Sequence, residues 1–337
     1  MRDVAAGCSD ETELRTRQGG GMTATSVPIL PYTMVVGQDE LKRALEIAYV
    51  APEVKGVLAT GHRGTAKSTT VRAFAKMVLK DLPVTLPIGA TDDRILGGWN
   101  VEELLRGDHS TRDGLLLQAH KEGGGLLYID EVNLLDDYLV NIILDAAAGE
   151  VLPIEREGID EQNVQVKFTL IGTMNPEEGN LRPQLLDRFG LVATITEDQR
   201  PDTRLQILRN VLAFDAEQQG SPSAEIQAAR KADDALGEKL KAARETAKTL
   251  SCSDDILKLC ATISWTFRAA GHRGELSIAN AARAVAAIDG DTEVRPPHVA
   301  EVTPMALVHR RAPADTGGIL PWTPDDAGKL ATLITAT

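Results

Sequence analysis

The stretch Gly61-His62-Arg63-Gly64-Thr65-Ala66-Lys67-Ser68 decides the fold, because a turn of small residues that ends in Lys-Ser is typical of a triphosphate-binding loop. Backbone N–H groups of such a turn, and the positive end of the helix that follows, face the phosphates. Lys67 is predicted to bridge the β- and γ-phosphates, and the Ser68 hydroxyl to ligate Mg²⁺. The residues predicted to contact the nucleotide are Gly61, Gly64, Thr65, Ala66, Lys67, Ser68 and Thr69.

The residues on either side of this loop fit a strand, loop and helix unit. The apolar run from Val54 to Thr60 predicts a buried parallel strand, and the apolar residues from Thr69 to Leu82 share one helical face. One position departs from the G-x-x-x-x-G-K-[ST] pattern, since Ala66 stands in place of the second glycine. A methyl group there crowds the approach of the backbone to a phosphate, so the site is either a tolerated variant or a weakened one.

Composition and charge restrict the class of protein. The chain has 337 residues and is 43% hydrophobic, which is enough for a large core and favours two domains. No apolar run approaches the roughly 20 residues of a membrane span, and the first 21 residues lack the apolar segment of a secretory signal. A cytoplasmic protein is therefore expected. The net charge of −13 argues against a surface that binds nucleic acid.

The organisation along the chain predicts an α/β protein. Between residues 31 and 214, short apolar runs alternate with amphipathic stretches, which indicates a parallel sheet with helices on both faces. In such sheets, ligands bind at the carboxyl ends of the strands. The predicted strands cover residues 56–60, 85–87, 125–129, 168–173 and 191–196.

Four segments follow from the change in composition along the chain. Residues 1–28 are predicted to be a disordered tail, and 29–214 an α/β domain that contains the phosphate-binding loop. Residues 215–250 are predicted to be a linker with one long, largely exposed helix over 217–250, because this stretch is rich in Ala, Lys and Glu. Residues 251–337 are predicted to be an all-helical lid domain.

A second apolar strand, which begins at Gly124, ends in the acidic pair Asp130-Glu131, 63 residues after Lys67. This is the partner that a phosphate-binding loop predicts. Asp130 is expected to hold Mg²⁺, and Glu131 to orient and polarise the attacking water. Taken alone, an exposed acidic turn after a strand explains the pair equally well, but the phosphate-binding loop disfavours that alternative.

Three further polar residues are candidates for a role in catalysis. Asn175 follows the strand at 168–173 and could hold the water or the γ-phosphate, or it could form a simple Asn-Pro turn. Arg188 could reach the γ-phosphate on a neighbouring subunit, or it could pair on the surface with Asp187. Arg273 lies near a predicted helix start, as a phosphate sensor or as an ordinary turn arginine.

The ordered motifs resemble the I subunits of magnesium chelatase, a family of AAA+ ATPases, from residue 31 to about 311. The stretch from Asn175 to Gly190 is the most specific part of this resemblance. The segments Ile95 to Gly107 and Glu150 to Gly158 match the helix-2 insertion and the hairpin of the family. The other matching segments are Val36 to Glu40, Leu86 to Arg94, Tyr128 to Asp137, Glu155 to Gly158 and Arg273 to Leu276.

The resemblance implies a ring, expected to be a hexamer, that binds ATP and Mg²⁺ between subunits. It also implies that Arg273 acts as sensor 2 and that Arg188 enters from the neighbouring subunit. This chain would be the motor of a complex with two partners: an AAA+ subunit with a von Willebrand A domain, and a large subunit that binds protoporphyrin IX and inserts the metal. The residues implied to act within one subunit are Lys67, Ser68, Asp130, Glu131 and Asn175.

Two departures from the family pattern leave alternatives open. The departures are Ala66 and a shorter spacer before Leu86. They are compatible with a cobalt-chelatase motor, or with a MoxR-type remodelling ATPase that works with a von Willebrand A domain protein. A nucleotide-binding scaffold without hydrolysis is favoured by Ala66 alone and opposed by the pair Asp130-Glu131. A DNA-remodelling helicase is disfavoured by the acidic charge.

Overall fold

The structure is a computed structural model that describes residues 27–99, 111–120, 124–149, 151–156, 159–196, 200–311 and 318–336. Most of the predicted tail, residues 100–107 of the predicted insertion and residues 150 and 157–158 of the predicted hairpin lie outside this description. Nine strands are described. They are β1 (Val57–Thr60), β2 (Val84–Leu86), β3 (Gly97–Trp99), β4 (Thr111–Asp113), β5 (Gly125–Ile129), β6 (Val151–Arg156), β7 (Ile159–Gln165), β8 (Phe168–Met174) and β9 (Leu191–Thr194).

Five of these strands form one parallel sheet in the order β2-β5-β8-β1-β9, which confirms the predicted α/β fold. Every residue of β1, β5 and β8 is buried, and this explains why these strands are continuous apolar runs in the sequence. Two small antiparallel pairs, β3 with β4 and β6 with β7, lie outside the main sheet. The second pair contains the hairpin that the resemblance implied.

The helices surround this sheet and form the C-terminal part of the chain. Among the described helices, none is both long and apolar enough to cross a membrane. They are α1 (Asp39–Val50), α2 (Lys67–Leu79), α3 (Asp92–Leu96), α4 (Leu115–Ala119), α5 (Asp137–Gly149), α6 (Pro183–Leu186), α7 (Pro201–Gln218), α8 (Ala224–Thr249), α9 (Asp254–Thr266), α10 (Arg273–Asp289), α11 (Pro296–Leu307) and α12 (Pro324–Thr335).

The helix predicted over 217–250 is different in the structure. It is divided between the end of α7 and the whole of α8, because Gly220 has a φ of +97° and the Ser223 side chain caps α8 by accepting from the Ile226 N–H at 3.3 Å. Most residues of α8 are exposed, as predicted, but the helix also packs against α1, α2 and α10 and buries one face. The domain limits at residues 214 and 250 stay a prediction.

Successive side chains of β1 belong alternately to two apolar cores, one on each face of the sheet. Val57 and Ala59 belong to the core shared with α1, α2 and the C-terminal helices, whereas Leu58 belongs to the core on the other face of the sheet. The sheet is thus covered on both faces. The loops at its carboxyl edge are therefore held between two rigid layers, and these loops carry the predicted site.

Candidate functional site

The phosphate-binding loop connects β1 to α2, and Lys67 is the first residue of α2. Gly64 and Ala66 both have left-handed backbone, with φ of +79° and +60°. A Cβ at position 61 would lie 2.6 Å from the Ile195 carbonyl oxygen, so that only glycine fits there. The loop therefore has the conformation that the sequence predicts, with the N-terminus of α2 directed at its centre.

Ala66 reaches this conformation without being glycine. Its left-handed backbone costs on the order of 1 kcal/mol, since the Cβ crowds the following carbonyl oxygen. The Ala66 carbonyl oxygen accepts hydrogen bonds from the N–H and the Oγ1 of Thr70, both at 2.9 Å, and these bonds hold the turn. The loop shape is thus formed despite the substitution.

The Lys67 side chain lies along its own loop. Its Nζ donates to the His62 carbonyl oxygen at 2.7 Å and also to that of Gly61. Burial lowers the pKa of Lys67, and the nearby Asp130 and Glu131 carboxylates oppose this shift. The lysine remains a cation beside the acidic pair, which is the charge that a triphosphate site requires.

Asp130 directly follows strand β5 and lies against the start of α2. The Ser68 Oγ lies 3.3 Å from the Asp130 Oδ1, and the Thr173 Oγ1 donates to the same Oδ1 at 2.8 Å. The Tyr128 hydroxyl donates to the Asp130 Oδ1 at 2.7 Å and lies 2.9 Å from the Ser68 Oγ. Burial is the main cause of a raised Tyr128 pKa, so this hydroxyl stays protonated and can donate.

Glu131 has an unusual backbone for a non-glycine residue, with φ of +55°. Its N–H donates to the Thr173 Oγ1 at 3.1 Å, which fixes the turn after β5. Its carboxylate lies 3.5 Å from the guanidinium of Arg63, which also contacts Glu178. Strained backbone of this kind is concentrated at functional sites, and it is consistent with a side chain held at a defined position.

Asn175 is buried, with 3% of its surface exposed, directly after β8. Its Oδ1 accepts from the Glu177 N–H at 3.3 Å and so caps the short turn Pro176–Glu178, as the Asn-Pro turn alternative predicts. Asn175 also lines a cleft of about 430 Å³ at the carboxyl edge of the sheet, and a role in holding the water or the γ-phosphate stays a prediction. The cleft is lined by Arg63, Gly64, Thr65, Ala66, Lys67, Ser68, Thr69, Asp130, Glu131, Thr173 and Asn175.

Arg188 and Arg273 do not line this cleft. The Arg188 Nη1 donates to the Asp145 Oδ1 at 2.6 Å, so the surface pair predicted between Arg188 and Asp187 is wrong. Asp187 instead accepts from Arg273 at 2.5 Å and from the Nε of the buried Arg310 at 3.1 Å.

Four residues of this arrangement have no role in the predictions made from the sequence: Arg63, Tyr128, Thr173 and Arg310. Tyr128 had a signal, since it lies two residues before Asp130 and therefore on the same side of the strand. Thr173 was predicted as a strand residue without a role, and Arg63 was part of the quoted loop without a role. Arg310 had no local signal, because its partner Asp187 is 123 residues away.

Comparisons with known proteins agree with this geometry. Residues 56–189 match the AAA domain of the dynein-related subfamily, and residues 258–331 match the AAA lid domain. The magnesium-chelatase subunit ChlI of Olisthodiscus luteus is 37% identical over 309 residues, which cover 84% of this chain and 90% of that subunit.

Two further proteins show how far the similarity extends. An uncharacterized protein of Mycobacterium tuberculosis is 41% identical over 298 residues, 86% of this chain, but the chain spans only 46% of that protein. A crystal structure from Cytophaga hutchinsonii shares the fold with a TM-score of 0.63 at 18% identity, covering 90% of this chain and 91% of that one. Because the ChlI relative is similar over nearly its whole length, the chain belongs to the magnesium-chelatase I-subunit family of AAA ATPases.

Proposed function

We propose that this chain hydrolyses ATP as the motor subunit of a magnesium-chelatase-type complex, in which a partner subunit inserts a metal into a tetrapyrrole such as protoporphyrin IX. The observation that carries the proposal is the contact between the Ser68 hydroxyl and the Asp130 carboxylate, 3.3 Å apart at the N-terminus of α2. A hydroxyl and a carboxylate are the oxygen ligands that Mg²⁺ prefers, so the residues present fit Mg²⁺ with ATP.

The roles of the residues follow from their positions. Ser68 and Asp130 would hold Mg²⁺, which when bound with ATP neutralises phosphate charge. Lys67 places a cation beside the loop that cradles the phosphates. Glu131, fixed by the bond from its N–H to Thr173, orients and polarises a water, and Asn175 at the end of β8 positions the same water.

The proposal that this chain drives a chelatase rests on its family. Relatives of this chain are magnesium-chelatase subunits, and we extend their function to it. The expected assembly is a hexameric ring in which Arg188 of one subunit serves the ATP of the next. The expected partners are an AAA+ subunit with a von Willebrand A domain and a large porphyrin-binding subunit. Stripping water from Mg²⁺ and distorting a macrocycle are costly, and hydrolysis on a ring can drive both.

The first test is steady-state ATP hydrolysis by the purified chain, with and without Mg²⁺, over a range of protein concentrations. A motor with sites shared between subunits gives turnover per subunit that rises with concentration and requires Mg²⁺. Tight ATP binding without turnover at any concentration would contradict the motor.

The second test concerns the client. The chain is mixed with the two partner subunits of a magnesium chelatase, protoporphyrin IX and ATP, and metal insertion is followed by porphyrin fluorescence. Insertion of Mg²⁺ that depends on this chain and is lost in Lys67→Ala supports the proposal. Insertion of cobalt but not of Mg²⁺ would show that the chain is the motor of a cobalt chelatase. ATP turnover without insertion of either metal would favour a remodelling ATPase.

A further inference from the structure

A small basic cavity lies at the opposite edge of the sheet from the nucleotide cleft. Lys167, which lines this cavity, directly precedes β8, whereas Asn175 of the cleft directly follows it. The eight residue steps between them correspond to roughly 26 Å of extended strand. The cavity is therefore separate from the site described above.

Four cationic side chains and one acidic side chain line this cavity. The cations are Lys167, Arg244, Lys248 and Arg283, and the acid is Glu53. Lys248 is exposed and pairs with Glu245 at 2.6 Å, next to the cavity on α8. In a chain with a net charge of −13, four cationic side chains and one acidic side chain around one enclosed space are a local excess of positive charge.

Two arginines that line the cavity each have a hydrogen-bond donor without a partner among the described residues. The Nη1 of Arg244 and the Nε of Arg283 are buried and have no hydrogen-bond partner within the described part of the chain. Arg244 as a whole is 8% exposed and stacks over the Tyr49 ring at 5.1 Å. Arg283 uses its other nitrogens on the Ala247 carbonyl oxygen at 2.7 Å and on Asn280.

A buried cation without a partner is costly, and a bound anion removes this cost. The backbone of Gly124 leaves the space that the Arg244 guanidinium occupies. A Cβ at position 124 would lie 2.4 Å from the Arg244 Nη1, and Gly124 has a φ of +95°. A larger residue at position 124 would therefore displace the Arg244 guanidinium.

We infer that this cavity binds a single phosphate-sized oxyanion, with inorganic phosphate as the simplest ligand. The volume of about 50 Å³ exceeds the roughly 30 Å³ share of one liquid water but is far below the roughly 300 Å³ or more of sites for larger ligands, so one oxyanion group fits and a nucleotide does not. Guanidinium donors match the oxygens of such a group in geometry and charge.

The bound anion would also join two parts of the fold. Val50 is the last residue of α1, Pro52 lies just after it and Lys167 directly precedes β8, whereas Arg244, Lys248 and Arg283 belong to α8 and α10. An oxyanion between them links these two parts by charge-assisted hydrogen bonds. Binding is therefore expected to raise thermal stability as well as to be measurable directly.

The test is calorimetric titration of phosphate into the full-length Lys67→Ala protein, in which phosphate binding by the nucleotide loop is weakened. We expect saturable binding of one phosphate, and at least about tenfold weaker binding when Arg283→Gln is added, because a charge-assisted contact is lost. Lys248→Gln should weaken binding in the same direction and cannot unfold a core, since its side chain is exposed. The matched control is Lys241→Gln, an exposed lysine of the same helix that pairs with Glu238 and lies outside the cavity.

Thermal unfolding provides a second, independent readout. Phosphate should raise the midpoint in the Lys67→Ala protein more than chloride does at equal ionic strength, and Arg283→Gln should remove the difference. A small phosphomonoester that binds as well as phosphate would identify the terminal group of a larger ligand as the natural occupant. No saturable binding at millimolar phosphate, binding unchanged by both variants, or equal stabilisation by chloride would each overturn the inference.

Discussion

The Arg273 Nη1 lies 2.5 Å from the Asp187 Oδ2, so the first residue of α10 is joined to the residue that precedes Arg188. Asp187 also accepts from the Nε of Arg310, whose guanidinium donates further to the Phe189 and Gly190 carbonyl oxygens. The proposed sensor and the proposed finger are therefore neighbours within one subunit. A movement of α10 would be transmitted directly to the segment that carries Arg188.

The first prediction concerns this junction. Asp187→Asn removes the only carboxylate paired with Arg310 among the described residues, and the side chain of Arg310 is 1% exposed. Burial lowers the pKa of Arg310 to about 10, and Asp187 opposes that shift. Loss of the counter-charge should reduce the free energy of unfolding by on the order of 3 kcal/mol, measured by urea denaturation.

The control Asp145→Asn removes a 69% exposed carboxylate and should change the free energy of unfolding by no more than about 1 kcal/mol. Equal losses in both variants would contradict the special role of Asp187.

The second prediction is a loss of stability in mild acid caused by His309. Burial lowers the pKa of this fully enclosed imidazole well below 6.5, and its Nε2 bonds the Phe189 carbonyl oxygen. The unfolded chain then binds more protons than the folded one below pH about 6.5, so stability falls as pH decreases, by at most about 1.4 kcal/mol per unit. Urea unfolding from pH 7.5 to about 5.5 measures this slope; His309→Gln should flatten it, and Gln at the exposed His272 should leave it unchanged.

The third prediction assigns a positioning role to Tyr128. Tyr128→Phe removes the hydroxyl that bonds Asp130 and contacts Ser68, so the Asp130 carboxylate is held only by Thr173 and is less firmly placed at the start of α2. A bond to a charged group is worth about 1.5–3 kcal/mol, so kcat should fall by about tenfold or more. The Mg²⁺ concentration for half-maximal turnover should rise as well, which a purely structural loss would not cause. Tyr138→Phe, at an exposed tyrosine, should leave both values unchanged.

The fourth prediction separates binding from hydrolysis. Glu131→Gln should abolish turnover but spare ATP binding, because the amide keeps the shape of the carboxylate and loses its ability to polarise water. Lys67→Ala should lose turnover and also weaken binding. Parallel measurements of ATP affinity by fluorescence and of phosphate release test both statements. A Glu131→Gln protein that turns over at the parent rate would remove Glu131 from its proposed role.

The fifth prediction tests whether Arg188 acts between subunits. Arg188→Ala should leave ATP binding nearly intact and lower turnover about 10³-fold or more, as loss of an arginine finger does. Mixing it with Lys67→Ala subunits should restore activity, because some sites then combine an intact loop with an intact Arg188. Asp145→Ala, which only removes the partner of Arg188 in the free subunit, is the control and should keep turnover. Failure of the mixture to recover would place Arg188 outside a shared site.

Local sequence features predicted much of the fold. The ranges of β5 and β8 agree with the predicted strands to within one residue, because both strands are buried on two faces and read as unbroken apolar runs. The bounds of α8 were missed, since the stretch 217–250 is rich in the helix formers Ala, Lys and Glu, whereas the break depends on four residues, Gly220 to Ser223, that include Pro222. The buried face of α8 was missed because only two of its seven buried residues, Ile226 and Leu240, are large and apolar.

The sequence by itself determined the type of site, because the loop at 61–68, the acidic pair at 130–131 and the turn at Asn175 follow strands whose carboxyl ends must meet at one edge of a parallel sheet. The tertiary structure alone decided the partners of the distant charged residues. Three such pairs are Asp187 with Arg310, Arg188 with Asp145, and Arg63 with Glu178. The two residues of each pair are between 43 and 123 positions apart in the sequence. Such pairs depend on the packing of whole elements, which places two side chains together without leaving a local pattern in the sequence.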